Sequence, residues 1–194
     1  MAKDRANRQG AKPLRLFVAI EIPEEAKDGA WEAVAPWRQR FPRARWVPRE
    51  NWHVTLKFLG STWPRLADWV PERVAAVAQE HAAFETRVVG LGAFPSARRA
   101  RVVWAGVEDP GGYMARLAGA LDASLAREFK PEGRPFRPHL TVARSEPPLT
   151  LPDEFGETVL ESARFAVDGL ALFRSHLQRP APKYERLATF PLAR

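Results

Sequence analysis

HVTL, residues 53 to 56, and HLTV, residues 139 to 142, say nearly the same thing twice. Each places a His and a Thr two positions apart within a run of β-branched and apolar residues that reads as a buried strand. Residues i and i+2 of a strand share a face, so each copy sets one imidazole beside one hydroxyl. An imidazole titrates near neutral pH and a hydroxyl holds a phosphoryl or carbonyl oxygen. Two such strands meeting face to face therefore supply an acid, a base and an oxygen cradle, the outline of a phosphodiester-cleaving site. A single His on an apolar strand is most simply a satisfied core or edge residue. The chain has only four His, and two of them stand in matched copies, which turns the reading towards a shared active site.

Working outward, the duplication widens. LFVAIEIP (16 to 23) aligns with VWAGVEDP (103 to 110), each a strand ending in Glu with a Pro two residues on. GLGAFPS (90 to 96) aligns with GLALFRS (169 to 175), with Gly, Leu, Phe and Ser in register. The chain reads as two degenerate copies of one unit, the first spanning about residues 14–98 and the second about 99–194, which tend to pack about a pseudo-two-fold axis. Together they are expected to form one bilobal domain over residues 14–194. Between the strands, Ala26, Ala30, Ala33, Val34 and Trp37 recur at helical spacing after Pro23, predicting a helix over 24–40. Its counterpart spans 112–129, where Met114, Leu117, Leu121, Leu125 and Phe129 form one stripe. A third helix is expected from Leu66 to about His81, interrupted or restarted at Pro71. The three prolines between Glu146 and Pro152 read as loop. Strands follow at 84–94, 101–107, 163–173 and 184–190, giving an α+β class with mostly antiparallel sheets.

Composition narrows the chemistry. The 194 residues are 45% hydrophobic, which places the chain among globular proteins. The absence of Cys excludes disulfides, thiol nucleophiles, zinc ribbons and iron–sulfur clusters, and points to a reducing cytoplasm. No apolar run is long enough to span a membrane, and no secretory leader is evident, so a membrane or secreted protein is not expected. The net charge of +7 favours polyanionic partners such as RNA. Part of that charge lies in residues 1–13, where Lys3, Arg5, Arg8 and Lys12 face only Asp4, a composition that reads as a flexible basic tail. Arg98, Arg99 and Arg101 form a basic turn suited to meet an RNA backbone.

Five residues beyond each motif His stand Phe58 and Arg144. An odd offset points to the opposite face of a regular strand, so both reach the site only if the strands bend there. If they do, Phe58 offers a platform for a base and Arg144 a guanidinium for a phosphate. Otherwise Phe58 is core packing and Arg144 a surface charge. Trp31, Trp37, Trp69 and Trp104 fall on apolar stripes and read as core, whereas Trp46 and Trp52 flank the first motif and are candidates to line the cleft. His81 and His176 stand in no motif and read as surface or structural. Metal catalysis is disfavoured, since two His with no nearby carboxylate, no HxH and no HExxH make a poor zinc set.

RWVPRENWHVTLKFLG (45 to 60), GAFPSARRARVVWAGV (92 to 107) and RPFRPHLTVAR (134 to 144) closely resemble the two-histidine phosphoesterases, and within them the bacterial and archaeal RNA 2′,3′-cyclic phosphodiesterases, also known as 2′-5′ RNA ligases. LFVAIEIP and FRSHLQRPAPKYERLATFPL share the likeness, which covers nearly all of residues 14 to 194. The resemblance implies a duplicated, bilobal fold with two mostly antiparallel sheets around a central cleft, helices outside and one HxT strand from each lobe on the cleft floor. It implies hydrolysis of an RNA 2′,3′-cyclic phosphate end, or of a cyclic nucleotide, to a 2′-phosphomonoester without metal or cofactor, and possible reverse 2′-5′ ligation. It further implies His53 as proton donor, His139 as proton acceptor, Thr55, Thr141 and Arg144 on the phosphate oxygens, and Phe58 stacked on the base. A monomer is expected. The alternatives are an RNA-end-binding module without catalysis and a phosphodiesterase for another small cyclic nucleotide. Retention of both His and both Thr weighs against the former.

Overall fold

The computed structural model describes residues 12–194, so all but the last two residues of the basic tail lie outside the described residues. In chain order its strands are β1 (Leu14–Glu21), β2 (Arg45–Trp46), β3 (His53–Thr62), β4 (Phe84–Thr86), β5 (Val88–Phe94), β6 (Ala100–Val107), β7 (His139–Leu149), β8 (Phe165–Val167), β9 (Gly169–His176) and β10 (Lys183–Pro191). Seven of them pair in the order β10-β9-β1-β3-β7-β6-β5, with the short β2 alongside β7, and every pairing is antiparallel. A separate two-stranded ribbon joins β4 to β8.

The strand expected over 84–94 therefore breaks at Arg87, and that over 163–173 breaks at Asp168. The front halves leave the main sheet to pair with each other, and the Thr86 hydroxyl donates to the Glu108 carbonyl at 2.6 Å at the point where they part. Another expectation is overturned at the far end of β7. Glu146 to Leu149 continue the strand instead of forming loop, because Leu149 stands in register with Ala100 and Glu146 is ion-paired to Arg101. Local composition reports the prolines; the waiting partner strand decides the outcome.

The two wings of the sheet meet only where β3 runs beside β7, through the single pair Val54–Leu140. Each wing contains one HxT strand, and each borrows from the other half of the sequence. β5, from the first half, pairs with β6 of the second, while β9, from the second, pairs with β1 of the first. GLGAFPS and GLALFRS are thus equivalent segments in exchanged positions, each supplying the strand next to the other half's opening strand.

The helices are α1 (Glu24–Arg40), α2 (Trp69–Gln79) and α3 (Tyr113–Leu125), and they follow the same exchange. α1 lies against β5, and α3 lies against β3 and α2. Ala26, Ala30, Val34 and Trp37 of α1, and Met114, Leu117, Leu121 and Leu125 of α3, are all buried, as their spacing predicts. α2 starts at Trp69 after a short 3₁₀ turn, so Pro71 falls in its first turn, where a missing N–H costs nothing. These apolar faces cover one side of the sheet and leave its other side, with the paired HxT strands at the centre, free to form a cleft.

Candidate active site

The cleft holds about 660 Å³ and is lined by both motif His, both motif Thr, Phe58 and Arg144. How Phe58 and Arg144 come to face it is a matter of strand pairing. On β3, Thr55 is opposite Ala19 of β1 and Lys57 is opposite Val18, so Leu56 has no partner of its own. On β7, Thr141 is opposite Trp104 and Ala143 is opposite Val103, leaving Val142 unpartnered in the same way. Each extra residue is a β-bulge, and it inverts the in-out alternation once. Leu56 and Lys57 therefore both point into the core, as do Val142 and Ala143, and the next residue in each strand turns to the cleft. Phe58 is 44% exposed there, in a β strand otherwise largely buried. The odd offset is met by one bulge in each strand, at equivalent positions.

Lys57 is held by the same bulge in a place lysines rarely occupy. It is 1% exposed, ion-paired to Asp122 on α3, with its ammonium also donating to the Lys130 carbonyl at 2.8 Å. A buried charge is tolerable only when paired and hydrogen-bonded, and both conditions are met.

The two imidazoles are oriented alike. His53 Nδ1–H donates to the Asn51 carbonyl at 2.8 Å and His139 Nδ1–H to the Arg137 carbonyl at 2.7 Å, each two residues upstream in its own chain segment. With Nδ1 committed, Nε2 is the nitrogen left for chemistry in both rings. His53 Nε2 lies 3.0 Å from Thr55 Oγ1, whose hydroxyl donates to it when the ring is neutral. Burial pushes the His53 pKa down to about 4; the bond to Asn51 opposes this, and the positive charges of Lys27, His139 and Arg144 add to it. Burial also lowers His139, with a smaller opposing effect from Arg137 and a further push from Arg144.

The surroundings of the rings are not legible from the motifs. Phe17 stacks on His53 at 4.8 Å, Phe173 stacks on Phe17 at 5.2 Å, and Tyr184 meets His53 edge-on at 5.3 Å. Phe17 stands on β1, the direct neighbour of β3, whereas Phe173 and Tyr184 stand on β9 and β10, which the exchange of strands places on the far side of β1. His139 has its own aromatic neighbours, Phe94 at 5.2 Å and Trp104 at 6.4 Å. Trp104 is thus only half-buried and stands at the site, although its apolar stripe reads as core. Gly92 makes room for it: a Cβ there would stand 2.2 Å from the Trp104 ring. Of the two flanking tryptophans, Trp46 lines the cleft, whereas Trp52 is 3% exposed in the core beside Trp31. Trp37 is core, and Trp31 and Trp69 are partly buried against it. Arg15, Arg45 and the 177–182 segment, which includes Arg179, also line the cleft, and the Asn51 side chain ties that segment down by donating to the Pro182 carbonyl at 2.8 Å.

Arg98 and Arg99 sit in a 3₁₀ turn away from the cleft lining, and Arg101 is paired with Glu146. The His81 Nδ1–H donates to the Val77 carbonyl one helical turn back, and His176 Nε2 lies 2.7 Å from a Glu185 carboxylate oxygen. Among the described residues, the cleft lining includes no Asp, Glu or Cys, and no group of three His, Cys, Asp or Glu is placed to hold a metal ion. No helix among the described residues is long and apolar enough to cross a membrane.

Two inverted HxT strands, each with its imidazole locked through Nδ1 and its Nε2 turned into one shared cleft, define the two-histidine phosphoesterase class. The chain belongs to the 2′-5′ RNA ligase superfamily, which it matches over residues 26–179. It is 32% identical over 184 residues to an RNA 2′,3′-cyclic phosphodiesterase of Geobacillus stearothermophilus, an alignment covering 93% of this chain and 58% of that relative. A Thermus thermophilus crystal structure superposes with a TM-score of 0.77 at 32% identity, covering 92% of this chain and 98% of that one. The crystal structure of E. coli LigT complexed with 3′-AMP superposes at 0.73 with 27% identity, covering 94% and 99%.

Proposed function

We propose that the protein hydrolyses RNA 2′,3′-cyclic phosphate ends to 2′-phosphomonoesters by metal-independent acid–base catalysis between His53 and His139. The observation that carries this is one cleft lined by both imidazoles, each with its Nδ1 committed to a backbone carbonyl, together with the Thr55 and Thr141 hydroxyls and the Arg144 guanidinium. The relatives named for this reaction support the substrate class.

In this reading His139 Nε2 takes a proton from water as its oxygen bonds to phosphorus. The P–O3′ bond breaks, and His53 Nε2–H delivers a proton to the departing 3′ oxygen. Thr55, Thr141 and Arg144 hold the nonbridging oxygens while charge accumulates on them, and Phe58 supports the base. An imidazole held down to about 4 is neutral in the empty site at neutral pH, so the acid needs its proton to arrive with the substrate. The anionic phosphate supplies the reason: its charge opposes the desolvation and the neighbouring cations that disfavour the imidazolium. With Nδ1 already donating to Asn51, that proton settles on Nε2, facing the leaving group. Two His as the sole metal-ligating side chains of the described lining make a poor set for a divalent ion, which favours acid–base chemistry alone. The same steps with a 5′-hydroxyl in place of the attacking water would open the cyclic phosphate to a 2′-5′ linkage: His139 takes the 5′-hydroxyl proton as O5′ bonds to phosphorus, and the 3′ oxygen leaves with the proton from His53. The protein is read as a cytoplasmic monomer.

The test is incubation of a cyclic-phosphate-ended dinucleotide in excess EDTA, with the product isomer identified. Turnover to the 2′-phosphate is expected. Binding without turnover would leave an RNA-end-binding module, and turnover restored only by a divalent ion would move the reaction to metal chemistry.

A further inference from the structure

The cleft is more basic than a reaction at one phosphate requires. Arg15, Arg45, Arg144 and Arg179 all line it, without one carboxylate among the described lining residues. Two of the four are placed in direct opposition. β2 pairs antiparallel with β7 so that Arg45 stands opposite Arg144, with Trp46 opposite Ala143. Directly opposed residues share a face, with Cβ atoms about 4.5–5.5 Å apart, and like charges in that position are destabilising. On the other wing the same chain follows the ordinary pattern: Arg174 stands opposite Glu185, and the two form an ion pair at 3.9 Å. Neither Arg45 nor Arg144 has a carboxylate within ion-pairing distance among the described residues.

We infer that Arg45 is a specificity-determining residue that binds a second phosphate, adjoining the cyclic one held by Arg144, so that the site selects substrates carrying two neighbouring phosphates; this rests on the cyclic phosphodiesterase reading above. An opposed Arg pair facing a cleft without counter-charge is compensated when anions occupy both, and a guanidinium is the group best shaped for phosphate. One anion is the reacting phosphate. The other has the chemistry of a phosphodiester or phosphomonoester one nucleoside away, which is supplied either by the internucleotide phosphate of an oligonucleotide or by a 5′-phosphate on a mononucleotide.

Three substrates separate the cases: a nucleoside 2′,3′-cyclic phosphate, its 5′-phosphorylated form, and a dinucleotide ending in the cyclic phosphate. The wild-type protein is expected to show a higher kcat/KM on at least one of the two-phosphate substrates, and which one identifies the source of the second anion. Arg45→Ala is expected to lower that value roughly tenfold more than the value on the one-phosphate substrate, mainly through KM, with Arg45→Lys restoring part of it. The salt dependence of KM on the favoured substrate should flatten by about 0.7 in log–log slope, a change that a merely structural role would not produce. Equal losses on all three substrates, or a preference removed by Arg15→Ala or Arg179→Ala and kept in Arg45→Ala, would overturn the assignment to Arg45. Absence of wild-type turnover on every substrate would instead overturn the underlying reading of the activity.

Discussion

Acidification should unfold this protein in part through His53. Its imidazole sits against Phe17 and Tyr184 with Nδ1 committed to the Asn51 carbonyl, and burial holds its pKa near 4 in the folded state. In the unfolded chain the same ring titrates near the usual imidazole value of about 6.5. Between those two values the unfolded state binds the proton and the folded state does not, so stability is fully present above about 6.5 and declines as pH falls towards 4. The whole difference corresponds to about 3 kcal/mol, of which about 2 kcal/mol falls between about pH 7 and pH 5. Against a total stability of about 5–15 kcal/mol, that is easily measured. Urea unfolding of the wild type and of His53→Gln at both pH values isolates the contribution, since the remaining groups titrate alike in the two proteins. The wild type should lose about 2 kcal/mol more than the variant over this interval. Parallel pH dependences would show that the ring is not desolvated as the aromatic cage requires, and would remove the support for the proposal that its proton arrives with the substrate.

The other expectations test the site from different sides. His53→Ala and His139→Ala should each lower kcat on a cyclic-ended dinucleotide by about 10²–10⁴-fold, while His81→Ala and His176→Ala remain near wild type; comparable rates in all four would refute the two-histidine site. Phe58→Ala should raise KM by the equivalent of about 1–3 kcal/mol of stacking, whereas Arg144→Ala should lower kcat, with Arg144→Lys recovering only part; a wild-type kcat in Arg144→Ala would leave the phosphate to Thr55 and Thr141. Lys57→Met should cost about 3 kcal/mol in urea unfolding, because it leaves the Asp122 carboxylate of α3 without its cation and, among the described residues, with only the Glu132 N–H to donate to it, and an unchanged midpoint would show that the buried pair is not formed. Gly92→Ala should displace the Trp104 ring from beside His139 and reduce kcat at least severalfold, with steady-state kinetics and near-UV circular dichroism as the paired readouts.

Several features are open to a reading of one segment at a time. The helical stripes of α1 and α3 are governed by side chains three and four residues apart within the same segment, so their buried faces follow from spacing alone. The same holds for the HxT pairs, since i and i+2 of one strand share a face whatever lies beside them. Internal similarity adds that the two motifs belong to equivalent units. His81 and His176 also follow this logic in part, since each lies outside any repeated pattern and neither lines the cleft.

What the sequence leaves undecided concerns pairs of segments. Whether Phe58 and Arg144 reach the cleft depends on Leu56 and Val142 lacking partners across β1 and β6, and a bulge is a property of two strands in register rather than of either one. The exchange of β5 and β9 between the wings has the same character: GLGAFPS and GLALFRS are visible as a repeat, but a repeat does not say which neighbour each copy joins. That exchange carries Phe173 and, through β10, Tyr184 to His53, and so determines how far its proton affinity falls. The residues able to do the chemistry are therefore written in short local patterns, while their orientation, burial and acidity come from long-range pairing, where hydrogen bonds and desolvation depend on segments far apart in the chain.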